Sequence, residues 1–338
     1  MSATHDTGRG RILGIETSCD ETAAAVLAPG GRLLSSVVAS QDELHAGYGG
    51  IVPEIASRRH LELVSPVVGE ALHRAETPLE EIELVGVTAG PGLVGALLVG
   101  ISAAKAIAWA RRLPLAPVDH LHGHVASLYL GDTPLEPPFL CLLASGGHTL
   151  LLSVRSRGAF ERLGSTVDDA AGEAFDKGAR LLGLGYPGGP AIQREAEGGD
   201  SASFEMPVAM SRDPGLDFSF SGLKTALLYA TRDLGEGELE ARRADLAASF
   251  QAAIVGQLTA KVERALDAGE WPAVALGGGV AANSLLRERV AQICERRGLR
   301  LKLVASELCT DNAAMIAAAA AELEPTPYPG YLDWDATV

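Results

Sequence analysis

Apolar positions along the chain recur in two shapes. The first is a pair of apolar runs, RILGIETSCDETAAAVL (residues 11–27) and RLLSSVVAS (32–40), joined by Ala28-Pro29-Gly30-Gly31. Two such runs around a Pro-Gly-Gly turn predict a β-hairpin. The first run is broken by a small polar cluster, Thr17-Ser18-Cys19-Asp20-Glu21-Thr22, where a uniform strand would carry Val or Ile. Breaks of this kind mark places where backbone approaches a ligand. The shape returns in PPFLCLLASGGHTLLLSVRSRGAF (137–160), and aligning Ile15 with Leu142 places Ser18 on Ser145 and Thr22 on Thr149, a constant offset of 127. The second shape is strand, Gly-rich turn, helix, strand. It occurs as VGVTAGPGLVGALLVGISAAKAIAWARRLPLAPV (85–118) and again as AVALGGGVAANSLLRERVAQICERRGLRLKLV (273–304).

The repeated order predicts an internal duplication, two α/β lobes that each open with a hairpin. The expected first lobe is 1–137, completed by a helix at 309–324 within CTDNAAMIAAAAAEL. The second is 138–308, with an insertion at about 160–240 that includes GSTVDDAAGEAFDKGARLLGLGYPGGPAIQ. The tail 325–338 carries three prolines and is expected to be irregular.

Composition narrows the class. With 47% hydrophobic and 21% charged residues the 338-residue chain reads as folded rather than disordered. Its 28 basic and 43 acidic residues give a net charge of −15, which excludes a globally basic RNA-coating protein but leaves room for local patches. Four scattered cysteines without a CxxC pair signal neither a disulfide framework nor a thiolate zinc cluster. The N-terminal segment has no apolar core of a signal peptide. The uncharged stretch Val85–Ala104 is long enough to span a bilayer, yet Pro91 and five glycines favour a strand, a turn and a buried helix. The expectation is a cytoplasmic protein with no membrane association.

Three features carry candidate chemistry. His120 and His124 in APVDHLHGHVASLYL are four apart, so on a helix both imidazoles share one face and can reach one metal ion. A buried structural histidine pair is the alternative; a metal would need a third ligand, and a carboxylate with two imidazoles suits Fe(II), Zn(II) or Mn(II). The zinc-protease pattern HExxH is not met, because Leu121 stands where the general base would be. Next come the Gly-rich turns, Ser145-Gly146-Gly147-His148-Thr149 and Gly277-Gly278-Gly279, with Asn283 nearby; they can present N–H groups to a phosphate or nucleotide. No GxxxxGK[ST] motif is present, and Ser145 does not sit in a GxSxG elbow. The last is the acidic group Glu16, Asp20 and Glu21, placed near a phosphate or metal or else left as exposed turn carboxylates.

Taken in order, ILGIETSCDETAAAV, YGGIVPEIASRRH, VTAGPGLVGALLVG, PVDHLHGH, LASGGHT, DDAAGEAFDKGARLLGLGYPGGP, FSFSGLKTA, ALGGGVAANSLLR and CTDNAAMIA resemble the bacterial tRNA N6-adenosine threonylcarbamoyltransferases across nearly the whole chain. The resemblance implies duplicated lobes of the actin/Hsp70/sugar-kinase type. It also implies transfer of the threonylcarbamoyl group of threonylcarbamoyl-adenylate to N6 of adenosine 37 in tRNAs reading ANN codons, with release of AMP. Carried over by position, the metal ligands would be His120, His124 and Asp311, holding one divalent ion, Fe(II) ranked first and Zn(II) or Mg(II) after it. Substrate contacts would fall on Leu143, Ala144, Ser145, Gly146 and Gly147, and nucleoside contacts on Asp176, Gly189 and Asn283. The general base is unassigned, with Glu16 and Asp20 as candidates by position. Implied partners are tRNA, a degenerate paralogue forming a heterodimer, and a small P-loop ATPase. The expected tRNA-facing patches are Arg58-Arg59-His60, Arg111-Arg112, Arg242-Arg243, and Arg296-Arg297 with Arg300 and Lys302. An ATP-dependent kinase of the same fold would not require the His-His-Asp set. A non-catalytic scaffold would be expected to lose both that set and the SGGH turn.

Overall fold

The computed structural model describes residues 9–48, 50–131, 133–208 and 214–337. The chain divides into two compact units, one made of residues up to 136 with 156–159 and 310 onward, the other of 137–155 and 160–309.

The first unit is built on β1 (Arg11–Glu16), β2 (Glu21–Leu27), β3 (Leu33–Ser40), β4 (Ile82–Gly90) and β5 (Leu115–Asp119), in the order β3-β2-β1-β4-β5. Strands β1 to β3 form an antiparallel meander, while β4 and β5 add in parallel on the other side of β1. The run 11–27 is therefore two strands. The polar cluster that seemed to interrupt one strand contains the turn between β1 and β2, and Pro29–Gly31 joins β2 to β3. The expected hairpin is a three-stranded meander because small polar residues, not only Gly and Pro, can make the tight turn.

Helices α1 (Asp42–Ala46) and α2 (Pro53–Arg74) connect β3 to β4, α3 (Val94–Arg111) connects β4 to β5, and α4 (His120–Ala126) follows β5 directly. The alanines of β2 are buried, with α2 and the late helix α10 (Ala313–Glu322) both packed against that strand. In α10, residues 313–320 are all buried, so its alanines allow backbone to approach backbone where larger side chains would hold the layers apart. At Gly14 of β1 an added Cβ would collide with the Ala313 carbonyl, which explains why that strand position has no side chain.

Helix α3 is the described helix long and apolar enough to cross a bilayer by length and composition. It buries Ala96, Leu97, Ile101, Ala104 and Ala108 but leaves Val94, Leu98 and Trp109 exposed. It is thus buried on one face, not the wholly buried helix that its composition predicts. The segment 325–337 has no helix or strand, yet it is closely packed. Leu115 and Thr326 exchange backbone hydrogen bonds at 3.0 and 2.9 Å, Tyr331 is fully buried in the core, and Trp109 meets Tyr328 with ring centroids 5.1 Å apart.

The second unit repeats the plan with β6 (Phe139–Ala144), β7 (Thr149–Ser156), β8 (Ala159–Ser165), β9 (Ala273–Gly277) and β10 (Arg300–Leu303), in the order β10-β9-β6-β7-β8. Ile15 faces Ala24 in the first sheet and Leu142 faces Leu151 in the second, so the strand register itself repeats with the offset of 127. Between β8 and β9 lie α5 (Ala171–Leu181), α6 (Gly188–Ala196), α7 (Ser221–Asp233) and α8 (Glu236–Ala268); α9 (Ser284–Arg297) joins β9 to β10. In each unit the loops after the parallel strands gather at their carboxyl ends, where open α/β sheets bind ligands.

Candidate functional site

In the first unit, β5 ends at Asp119, which caps α4 by accepting hydrogen bonds from the Leu121 and His122 N–H groups at 2.8 and 3.1 Å. That cap starts the helix at His120 and puts His120 and His124 one turn apart on one face, ring centroids 4.7 Å apart. Asp311 arrives from just before α10, whose N-cap is Asn312. The Nε2 atoms of His120 and His124 lie 3.4 and 3.3 Å from the same Asp311 oxygen. One ligand atom from each of the three residues lies within 4.8 Å of the others.

His120 is fixed from behind. Its Nδ1 is 3.1 Å from Glu16 Oε2 and 3.2 Å from Ser18 Oγ, and Thr88 donates to the same Glu16 oxygen at 2.6 Å, while the Ser18 N–H donates to Glu16 Oε1. A carboxylate accepting from Nδ1–H leaves Nε2 as the atom that can offer its lone pair to a metal ion held together with Asp311. Glu16 is fully buried in this role. In this geometry the Glu16 oxygens face protein groups, the Ser18 N–H, Thr88 Oγ1 and His120 Nδ1. Asp20 is buried as well, and shares a group of carboxylates with Glu21 and Asp42. Burial, then Asp311 and Asp20, hold the Glu21 carboxyl well above the ordinary range.

A divalent cation fits these residues. The buried His124 has no hydrogen-bond partner at Nδ1 and meets only the Asp311 carboxylate through Nε2, an arrangement that leaves its ring poorly satisfied inside the protein. Two imidazole nitrogens facing one carboxylate oxygen form a compact donor set for a borderline or hard metal ion. Burial disfavours the imidazolium of His120, but Asp311 and Glu16 outweigh it and raise its pKa well above the usual value. Burial likewise opposes ionisation of Asp311, yet the two histidines hold its carboxyl well below the usual range. The proton and the metal compete for His120, so metal affinity is expected to rise with pH up to the raised value and level off above it. With metal removed, the charged His120 stabilises the fold fully below its unfolded pKa of about 6.5, and this contribution is lost as pH rises through the folded value. Zinc titration and thermal melts across about pH 6 to 9 check both signs.

The turn carrying these groups is itself braced. His60 is fully buried, its Nε2 3.0 Å from the Cys19 carbonyl and its Nδ1 2.8 Å from Thr22 Oγ1. Burial lowers its pKa, so it serves as a neutral strut and not as part of a basic patch with Arg58 and Arg59. The other expected patches are largely neutralised. Arg59 pairs with Glu62, Arg242 with Asp245, Arg243 with Glu195 and Glu240, Arg296 with Glu263, and Arg297 with Asp267. Exposed Arg58, Arg112 and Arg300 carry no ion pair among the described residues.

In the second unit, Leu143 and Ala144 are buried at the end of β6 and lead into a turn closed by Ser145 N–H to the His148 carbonyl at 2.8 Å. Gly146 and Gly147 are exposed at its tip, with open space where a side chain would be. The N-terminus of α5 abuts this turn: Gly172 N–H donates to the Ser145 carbonyl at 3.1 Å. Asp176 accepts from the Gly188 N–H at 2.7 Å, tying α5 to the start of α6 and to Gly189, which faces open space. Asn283 caps α9 through Leu286 N–H at 3.0 Å and donates to Gln251 at 2.7 Å, so part of its amide capacity is spent inside the protein. Ser284 N–H donates to Gln193 of α6 at 2.8 Å, which links the two loops. A Cβ at Gly172 would meet the Ser145 carbonyl at 2.5 Å and Gly146 Cα at 2.7 Å. Gly172→Ala is therefore expected to displace the turn and destabilise the fold by about 1–3 kcal/mol, as overpacked sites do, read by urea unfolding.

Residues 32–318 match the protein family described as TsaD, tRNA N6-adenosine threonylcarbamoyltransferase. Curated relatives bearing that name include one from Symbiobacterium thermophilum, 54% identical over 97% of this chain and 93% of its own length. Another, from Syntrophobacter fumaroxidans, is 53% identical over 91% of this chain and 93% of its length. Among solved structures, component A of the (R)-2-hydroxyglutaryl-CoA dehydratase of Acidaminococcus fermentans aligns with TM-score 0.54 at 14% identity, covering 93% of this chain and 98% of that one. HypF of T. kodakarensis aligns with TM-score 0.59 at 18% identity, over 92% of this chain and 47% of that one. These two likenesses show the fold, the duplicated actin/Hsp70/sugar-kinase type. By the match over most of its length and by its relatives, the chain belongs to the tRNA N6-adenosine threonylcarbamoyltransferase family.

Proposed function

We propose that the protein is an acyltransferase that moves the threonylcarbamoyl group from threonylcarbamoyl-adenylate to N6 of adenosine 37 in tRNAs reading ANN codons, releasing AMP. The observation that carries the reading is the convergence of His120 and His124 Nε2 on one Asp311 oxygen in a chain of this family. In the reaction, the N6 amine attacks the carbamoyl carbonyl, the bond from that carbon to the phosphate oxygen breaks, AMP departs, and N6 gives up a proton. Negative charge grows on the carbonyl oxygen and on the departing phosphate.

His120, His124 and Asp311 would hold one divalent ion, Fe(II) before Zn(II) or Mg(II), which when bound supplies Lewis-acid stabilisation of that charge. Glu16 keeps the His120 ring oriented, and Ser18 and Thr88 keep Glu16 in place. The Ser145–Gly147 turn would offer hydrogen bonds to the adenylate without reorganising, with Asp176, Gly189 and Asn283 around the nucleoside. Within the expected patches, exposed Arg58, Arg112 and Arg300 carry no ion pair among the described residues and can meet tRNA phosphates, and the net charge of −15 makes binding by the chain alone weak and salt-sensitive. A paralogous heterodimer partner and a small P-loop ATPase would complete the system in the cytoplasm. The exposed Val94, Leu98 and Trp109 of α3 give an apolar face of the kind partners cover.

The test incubates the protein and its partners with threonylcarbamoyl-adenylate and unmodified tRNA. Equal yields of AMP and N6-modified adenosine 37 are expected. AMP without modified adenosine, or neither product, overturns the assignment.

A further inference from the structure

Strand β4 carries an irregularity beside the metal-ligand group. Opposite β5, Thr88 pairs with Val118 and Gly90 with Asp119, so Ala89 is an extra residue with no partner on that strand. Bulges of this kind re-aim the side chains on either side and leave backbone groups to be satisfied elsewhere. Here the Ala89 carbonyl accepts the Thr337 N–H at 2.7 Å, and the Thr337 carbonyl lies against Gly90, where a Cβ would collide with it. The bulge is thus pinned by a residue far away in the chain.

Both flanks of the bulge lead to His120. On one side, Thr88 donates to Glu16 at 2.6 Å, and Glu16 holds His120 Nδ1 at 3.1 Å. On the other, Gly90 sits opposite Asp119, whose carboxylate caps the helix that begins at His120. Just beyond, Leu93 N–H donates to the Ser18 carbonyl at 2.8 Å, and Ser18 Oγ lies 3.2 Å from the same His120 Nδ1. Thr337 is itself anchored by its segment: Tyr331 is fully buried, and Lys105 Nζ donates to the carbonyls of Leu332, at 3.0 Å, and Trp334.

We propose that the segment 331–337 is a positioning element of the metal centre, its Thr337 N–H fixing the Ala89 bulge and through it the ring of His120. The inference rests on the metal reading of His120, His124 and Asp311. A merely structural strap would set the melting temperature; a positioning element also sets how well the ligands converge.

The experiment titrates Co(II) into the full chain with a competing chelator and records the visible ligand-field spectrum. Thr337→Pro removes the N–H donor, and a chain stopped after Ala336 removes it without the proline ring. Either is expected to bind Co(II) about tenfold more weakly, as outer supports of metal ligands do, with an altered spectrum. Asp333→Ala, an exposed position in the same segment, is expected to titrate as the wild type. If Thr337→Pro fails to fold, the shortened chain decides. A lowered melting temperature with Co(II) affinity and spectrum unchanged overturns the proposal. Wild-type protein that takes up no Co(II), or takes it up equally after His124→Ala, overturns the metal reading instead.

Discussion

His124→Ala is expected to abolish metal binding and to lower threonylcarbamoyl transfer by about a thousandfold or more, while the protein remains folded. Losing the ion removes several kcal/mol of charge stabilisation at the carbonyl and phosphate oxygens, and about 4 kcal/mol is already a thousandfold in rate. The fold survives for a local reason. His124 Nδ1 has no hydrogen-bond partner in the protein and its Nε2 meets only Asp311, which after truncation still faces His120 Nε2. Metal analysis of the purified variant, its thermal melt and single-turnover transfer together check the result. A variant that keeps a full equivalent of metal would show that the ion sits elsewhere.

Glu16→Gln is expected to weaken metal binding by about 10–100-fold and to cost about 1–3 kcal/mol of stability. The buried carboxylate accepts from Thr88 and the Ser18 N–H and faces His120 Nδ1. An amide of the same size presents an N–H₂ group to this set of donors and removes the charge that favours Nδ1–H. The two roles considered for Glu16 separate cleanly. A positioning carboxylate moves the metal affinity along with the rate; a general base would slow transfer with metal affinity unchanged.

Much of this plan can be read from the sequence, for identifiable reasons. The offset of 127 between the two opening segments survives as strand register, because these strands are buried on both faces and a one-residue slip would exchange the side chains packed on each. The His120/His124 spacing is legible because a helix turn places them together. Asp311 entered the ligand set through the family resemblance, since its sequence surroundings show only a helix start. What escapes sequence reading is set by distant partners. Glu16 appears as one of several turn carboxylates until Thr88 and His120, 72 and 104 residues away, close around it. His60 seems part of a basic run until burial against Cys19 and Thr22 makes it a neutral strut. Arg296 and Arg297 read as a cationic cluster, but Glu263 and Asp267 on the neighbouring α8 neutralise them. The Pro-rich tail lacks a regular repeat, and its anchoring through Tyr331 and Thr337 depends on backbone contacts that no periodicity encodes.

A divalent ion held by His120, His124 and Asp311 is the proposed requirement for transfer. Its most direct test is single-turnover transfer by the wild-type protein with its partners, measured before chelation, after removal of metal, and after adding back one equivalent. One metal ion per chain, loss of transfer on its removal and recovery on its return are expected. Transfer that continues at full rate in metal-free protein would contradict it.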